Sequence, residues 1–154
     1  MPYNPSPVWC RSFRLTGTEP EDPGISLMKT LLLIGLGGGL GAIARYLLSV
    51  GILQLTPGWR FPTGTFAVNL LGCLVAGILL GVMAKQGQFS EEARVFLFVG
   101  LLGGFTTFSA FGVETVALLQ RGEPGIAALY VSLSVVCGLT LLWGGTKLSL
   151  LMLR

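Results

Sequence analysis

Three long tracts without a charged side chain constrain this chain more than any other feature. They cover residues 61–84, 95–113 and 124–146, and each is close to the ~20 residues that a helix needs to cross a bilayer. A fourth tract, residues 30–53, carries only Arg45. Because lipid cannot satisfy open backbone groups, each tract is predicted to be helical, which makes the chain an all-α integral membrane protein. The predicted spans are about 30–53, 63–84, 93–119 and 125–146.

Composition excludes several classes of function. The chain is 52% hydrophobic and 11% charged, with a mean hydropathy of +0.76, outside the range of a soluble domain. Its ten basic residues stand singly rather than in a stripe, which argues against a nucleic-acid partner. Histidine is absent and the three cysteines are far apart, so no enzyme, disulfide framework or side-chain metal site is indicated.

Residues 1–27 differ from the rest of the chain. They are rich in Pro, Ser and Thr and show no sustained apolar period, so they are predicted to be a disordered tail preceding the transmembrane domain, residues 28–154. Met28-Lys29 opens directly onto the first span, so translation could instead start at Met28, with the upstream stretch a misannotated start. The upstream stretch could also be a cytosolic tail, and residues 28–44 could be a signal peptide.

The connections between spans are short, at residues 56–62, 85–92 and 120–124, so neighbouring helices are predicted to run antiparallel. With the first residues of the first span on the cytoplasmic side, five basic residues lie inside and two or three outside. So small a bias is compatible with insertion in both orientations and also with a single orientation.

Glycines recur at four-residue spacing, a pattern that lets helix backbones approach closely. The pairs are Gly35 and Gly39, Gly37 and Gly41, Gly77 and Gly81, and Gly100 and Gly104. They predict a tightly packed bundle, and four short spans enclose little interior unless two chains combine.

The third span contains the most unusual stretch, Gly103-Gly-Phe-Thr-Thr-Phe-Ser-Ala-Phe111. Paired glycines and adjacent hydroxyls weaken a helix, so a break near the bilayer midplane is predicted. Backbone carbonyls freed at that depth are suited to Na⁺ or K⁺. Phenylalanine recurs every three residues, and ring edges can partner a small anion, although packing explains the same spacing.

Three segments of the chain together resemble the signature segments of the Fluc (CrcB-type) fluoride-channel family. They are Gly38-Gly-Leu-Gly-Ala-Ile-Ala-Arg-Tyr46, Pro62-Thr-Gly-Thr-Phe-Ala-Val-Asn-Leu-Leu-Gly72 and the third-span stretch of residues 103–111, and the likeness covers about residues 28–150. The resemblance implies a fluoride-selective passive channel in the cell (inner or plasma) membrane. Such a channel exports fluoride from the cytoplasm and relieves its toxicity. It also implies an antiparallel, dual-topology homodimer with two pores.

The resemblance assigns roles to individual residues. Phe108 and Phe111 match the pore phenylalanines, Asn69 the pore asparagine, and Tyr130 and Ser134 the polar positions of the fourth span. A further hydroxyl expected one turn after Ser134 is absent, because position 138 is glycine. The alternative is structural, with Asn69 as an interhelical strut and Tyr130 as an interfacial anchor.

The same resemblance covers the break and the charged residues. Gly103 and Thr106 match positions whose carbonyls, from both subunits, hold a structural Na⁺ at the dimer interface, and Thr107 supplies a hydroxyl to the pore. Arg45 matches a vestibule arginine and Glu114 a third-span glutamate, both of which could instead snorkel.

Two other functions remain open from sequence. A proton-coupled exporter of the small multidrug-resistance kind also has four spans and dual topology, with Glu114 as its carboxylate. An assembly subunit without transport is suggested only by the glycine faces.

Overall fold

The computed structural model describes residues 26–86 and 89–152. Within these ranges the chain forms helices and no strand, and four segments are long and apolar enough to cross a membrane. The prediction of an all-α membrane protein with four spans is therefore confirmed. Residues 1–25, on which most of the predicted tail falls, lie outside the described residues.

The helices are named in chain order. They are α1 Leu27–Leu55, α2 Thr63–Gln86, α3 Glu91–Arg94, a π-helix Val95–Leu102, α4 Gly103–Phe105, α5 Phe108–Gln120 and α6 Pro124–Met152. The elements from α3 to α5 together form the third span, Glu91–Gln120.

The first and last helices extend beyond their predicted bounds. Each has 29 residues, about 43 Å of helix, against a hydrocarbon core of about 30 Å, so their ends reach the polar interface. α1 begins at Leu27, inside the predicted tail, and α6 continues past Lys147. The chain reverses at Gly58 and Gly122, whose φ angles of 77° and 74° favour glycine.

The third span changes its helix type along its length. Ser90 caps the start, since its hydroxyl accepts the Ala93 N–H at 3.2 Å. The π-helix that follows was not predicted. Gly103 and Gly104 are helical, whereas Thr106 and Thr107 have extended backbone with ψ angles of 157° and 117°. The helix is thus interrupted at the threonines. The glycine pair, which was predicted to weaken the helix together with the adjacent hydroxyls, stays helical.

Close backbone contacts organise the helices into two pairs. α1 packs on the π-helix and α4, where a Cβ on Gly37 would lie 2.8 Å from the Phe96 carbonyl oxygen. α2 packs on α6, where a Cβ on Gly145 would lie 2.8 Å from the Leu74 carbonyl oxygen. Gly35 and Gly39 differ, because no described atom lies within 4 Å of their Cβ positions. The glycine spacing therefore predicted close packing correctly for one face of α1 and not for the other.

The core of the bundle is small and aromatic. Leu118, Ala127 and Tyr130 are buried, and partly buried side chains pack around them: Phe61, Phe66, Phe111 and Ile126. Large apolar side chains cover much of the outer surface, as expected where lipid is the solvent.

Candidate functional site

The interruption of the third span is held by Asn69 of α2. The Asn69 amide nitrogen donates to the Thr107 carbonyl oxygen at 3.1 Å, and its amide oxygen accepts the Thr107 N–H at 2.9 Å. One side chain therefore bonds to both backbone groups of Thr107. The N–H has no acceptor in the helix, whereas the carbonyl, as that of the N-cap residue, also begins the hydrogen bonds of α5. The amide nitrogen carries a second hydrogen that can serve another acceptor.

The new start of the helix at Phe108 leaves the carbonyls of residues 103–106 without their helical donors. In a continuous helix the Thr107 N–H would donate to Gly103 O, and the Ala110 N–H would donate to Thr106 O. The first donates instead to Asn69, and the second to the Thr107 hydroxyl at 3.2 Å. The carbonyls of Gly103 and Thr106 therefore lose their helical donors.

Arg45 of α1 contacts the helical turn that precedes the break. Its Nε donates to the Gly104 carbonyl oxygen at 3.1 Å. The side chain also borders an open cavity of about 230 Å³, whose polar lining includes Tyr46, Ser49, Thr65 and Thr107. Arg45 is half-buried and points to the break, so it does not simply snorkel to the interface.

Glu114 of α5 is held by hydroxyl groups from two other helices. The Thr65 hydroxyl of α2 donates to Oε1 at 2.6 Å, and the Tyr130 hydroxyl of α6 donates to Oε2 at 2.7 Å. Sequence reasoning missed Thr65. Its signal was its position one turn before Asn69, which places both side chains on the face of α2 that meets the third span.

Aromatic rings connect the surface of the chain to this carboxylate. The Phe108 and Phe111 ring centroids lie 5.6 Å apart, and those of Phe111 and Tyr130 lie 5.1 Å apart. Phe108 is 84% exposed, whereas Tyr130 is fully buried. The ring row, defined as Phe108, Phe111 and Tyr130, therefore leads from an exposed position beside the break to Glu114.

Comparison with known proteins identifies the family. Residues 32–146 match the family described as CrcB-like protein, camphor resistance (CrcB). This chain belongs to the CrcB-like family. A protein of Methylobacillus flagellatus named fluoride-specific ion channel FluC is 52% identical over 79% of this chain and 94% of its own length. Proteins of the same name from Flavobacterium psychrophilum and Novosphingobium aromaticivorans are 47% and 46% identical, over 77% and 79% of this chain and 94% and 96% of their own lengths.

The CrcB-like chain is a multi-pass membrane protein, since its matched region contains four spans. Within it, Tyr130 is enclosed by its own chain and is no anchor at the membrane interface.

Ser134 differs from the other predicted site residues in its hydrogen bonding. Its hydroxyl oxygen is buried, and among the described residues it has no hydrogen-bond partner. It lies one turn after Tyr130 on α6, and one turn further on Gly138 sits against α2, where a Cβ would lie 3.4 Å from the Cys73 sulfur. An unpartnered buried hydroxyl of this kind can donate to a ligand that the chain itself does not contain.

The structure brings nearly all of the predicted site residues to the break or next to it. Arg45, Asn69 and Thr107 bond directly at the break. The ring row and Glu114 begin beside it and continue to α6. The role of each residue in ion passage stays a prediction.

Proposed function

We propose that this chain is a fluoride channel that conducts fluoride passively out of the cytoplasm and so relieves fluoride toxicity. The observation that carries the proposal is the ring row beside the interrupted third span, in a chain whose family relatives are named fluoride-specific ion channels. The function is therefore transport rather than catalysis.

The ring row supplies weak partners for an anion. A phenyl ring is positive at its edge, so Phe108 and Phe111 can face a small anion without offering a charge that would trap it. Fluoride is strongly hydrated, and a pore must replace that water with several weak donors. The Thr107 hydroxyl, the unpartnered Ser134 hydroxyl and the second N–H of Asn69 are proposed as such donors.

Arg45 serves the entrance in this proposal. It is the charged residue on the wall of the open cavity beside the break, and a positive charge there raises the local concentration of anions. Glu114 is proposed to fix the orientation of Thr65 and Tyr130, whose hydroxyls both donate to it.

The proposal includes an antiparallel, dual-topology homodimer. The strongly exposed Phe108 ring needs an opposing wall to form a pore, and a second copy would supply it. The small bias of the basic residues is compatible with insertion in both orientations. Thr106 and Thr107 lie at the middle of Glu91–Gln120, which supports a break near the membrane midplane.

A structural Na⁺ fits the break. The Gly103 and Thr106 carbonyls have lost their helical donors, and carbonyl oxygens are the ligands that alkali cations prefer. Two copies of the chain would contribute two such carbonyls each. The bound ion would compensate the negative end of the α4 half-helix and hold the two subunits together.

Fluoride efflux from liposomes tests the function. Purified wild type should release loaded fluoride, read with a fluoride electrode, while excluding chloride. Phe108→Ile should slow the release at least tenfold, because it removes the exposed ring edge without disturbing a buried contact. Phe98→Ile makes the same change in the π-helix and should conduct normally.

Two results would count against the proposal. Folded, dimeric protein that released no fluoride above protein-free liposomes would exclude the channel. Efflux that required an imposed proton gradient and ignored removal of Na⁺ would favour the proton-coupled exporter instead.

A further inference from the structure

We propose that Arg45 and Asn69, here called the bracing residues, hold the break open and determine which carbonyls face the bound cation. Arg45 is then a positioning residue for Na⁺ in addition to a charge in the cavity. The inference rests on the proposed function, because it concerns the cation proposed there.

The bracing residues reach the break from two different helices. Arg45 of α1 bonds to the carbonyl of Gly104 in α4. Two residues later, at Thr106, the backbone becomes extended. Asn69 of α2 bonds to both backbone groups of Thr107, on the far side. The segment between these two contacts is therefore fixed at each end by a side chain distant in sequence.

The same contacts separate the carbonyls of the break into two classes. Those of Gly104 and Thr107 accept from the bracing residues. Those of Gly103 and Thr106 lose their helical donors, because the N–H groups that would serve them donate elsewhere. The carbonyl of Phe105 also loses its helical donor, because α5 starts afresh at Phe108. With the Gly104 and Thr107 carbonyls occupied by the bracing residues, those of Gly103 and Thr106 remain available for an ion.

A simple electrostatic view of Arg45 makes the opposite prediction. A guanidinium beside a cation site repels the cation, and its removal should strengthen Na⁺ binding. In the bracing view its loss frees the Gly104 carbonyl and lets the break relax, so Na⁺ binding should weaken. The sign of the change distinguishes the two roles.

The experiment measures Na⁺ binding by thermal unfolding of the full chain in detergent. NaCl is titrated against choline chloride at constant ionic strength, and the Na⁺ concentration that gives half of the stabilisation is compared between variants. Arg45→Lys keeps the charge and loses the planar Nε donor, whereas Arg45→Met keeps the length and loses both. Arg121→Met is the matched control, since it removes the same charge from an exposed position outside the helices.

Arg45→Lys and Arg45→Met are both expected to raise the half-stabilising Na⁺ concentration about tenfold, since each removes a charge-assisted bond to a carbonyl. Arg121→Met should leave it unchanged. The proposal is overturned if Arg45→Met binds Na⁺ as tightly as wild type or more tightly, or if Arg45→Lys is indistinguishable from wild type. Wild type without Na⁺-dependent stabilisation overturns it too.

Asn69→Leu tests the second bracing residue by the same titration and should weaken Na⁺ binding similarly. Unchanged binding in this variant would remove Asn69 from the proposal. Fluoride efflux is recorded in parallel, and its result is independent of the Na⁺ titration. Weaker Na⁺ binding in the variants, with no efflux in wild type, would retain the bracing role and reject the channel.

Discussion

The two halves of the third span are held in different ways. The first half, the π-helix and α4, packs on α1 through glycines, with backbone against backbone at Gly37, Gly41 and Gly104. The second half, α5, begins at an N-cap and is tied to α2 and α6 by side-chain hydrogen bonds to Thr107 and Glu114. One half depends on close shape complementarity, the other on polar contacts.

This difference shows why the chain can be interrupted where it is. Glycine packing brings the first half so close to α1 that the Arg45 side chain reaches the carbonyl of Gly104. The second half can then start afresh, because Asn69 and the Thr107 hydroxyl replace the missing backbone partners. Substitutions in each half can test the two kinds of attachment separately.

The largest effect is expected in the first half. Gly41→Ala would place a Cβ against the Leu101 carbonyl oxygen and 2.8 Å from the Phe105 nitrogen, so α1 must move away. We expect a loss of about 3 kcal/mol in the free energy of unfolding, measured by SDS titration in mixed micelles. Gly39→Ala, on the open face of α1, should cost little. Equal losses in the two variants would contradict the packing described.

The next effect concerns the second half. Asn69→Leu keeps the branched shape of the side chain but leaves the Thr107 N–H without a partner and removes the amide donor to the Thr107 carbonyl. The free energy of unfolding should fall by about 2 kcal/mol in the same titration. Gln54→Leu, on the exposed surface of α1, is the control. A stability equal to that of wild type would show that water or another group serves Thr107.

A smaller effect is expected at Glu114. Tyr130→Phe removes one of the two hydroxyls that donate to this carboxylate while keeping the ring contact with Phe111. The expected loss is about 1 kcal/mol. Combining it with Thr65→Val in a double-mutant cycle should show coupling, because both hydroxyls serve one carboxylate. Strictly additive losses, or an equal loss in exposed Tyr46→Phe, would argue against a shared network.

The smallest effect belongs to the first half again. Lys29 and Glu92 form an ion pair near the starts of α1 and the third span, with side chains 56% and 43% exposed. Lys29→Gln should cost at most about 0.5 kcal/mol, and the difference should vanish in about 0.5 M salt. If Lys29→Gln lowers the free energy of unfolding more than Tyr130→Phe does, polar contacts stabilise the first half as much as the second.

Much of the candidate site could be named from sequence, but its contacts could not. Asn69, Arg45 and Glu114 were all singled out, each with a plain alternative. The structure shows Asn69 bonded to Thr107, and Glu114 bonded to Thr65, a residue that was not considered. The π-helix at Val95–Leu102 was also missed, because its apolar residues give the same pattern in either kind of helix.

The sequence by itself determined that this chain crosses a membrane four times as helices. Uncharged tracts of sufficient length have no other stable form in lipid, so their length and hydropathy decide the matter locally. The three motifs likewise sufficed to indicate the family.

Only the tertiary structure decided where the third span stops being helical. The sequence predicted a break from the glycine pair and the adjacent hydroxyls together, yet Gly103 and Gly104 stay helical, and Gly104 packs closely on α1. The interruption falls at Thr106 and Thr107, and it is held by Asn69 and Arg45, which bond to the third span across 38 and 59 residues of chain. Local propensity cannot register contacts at such separations.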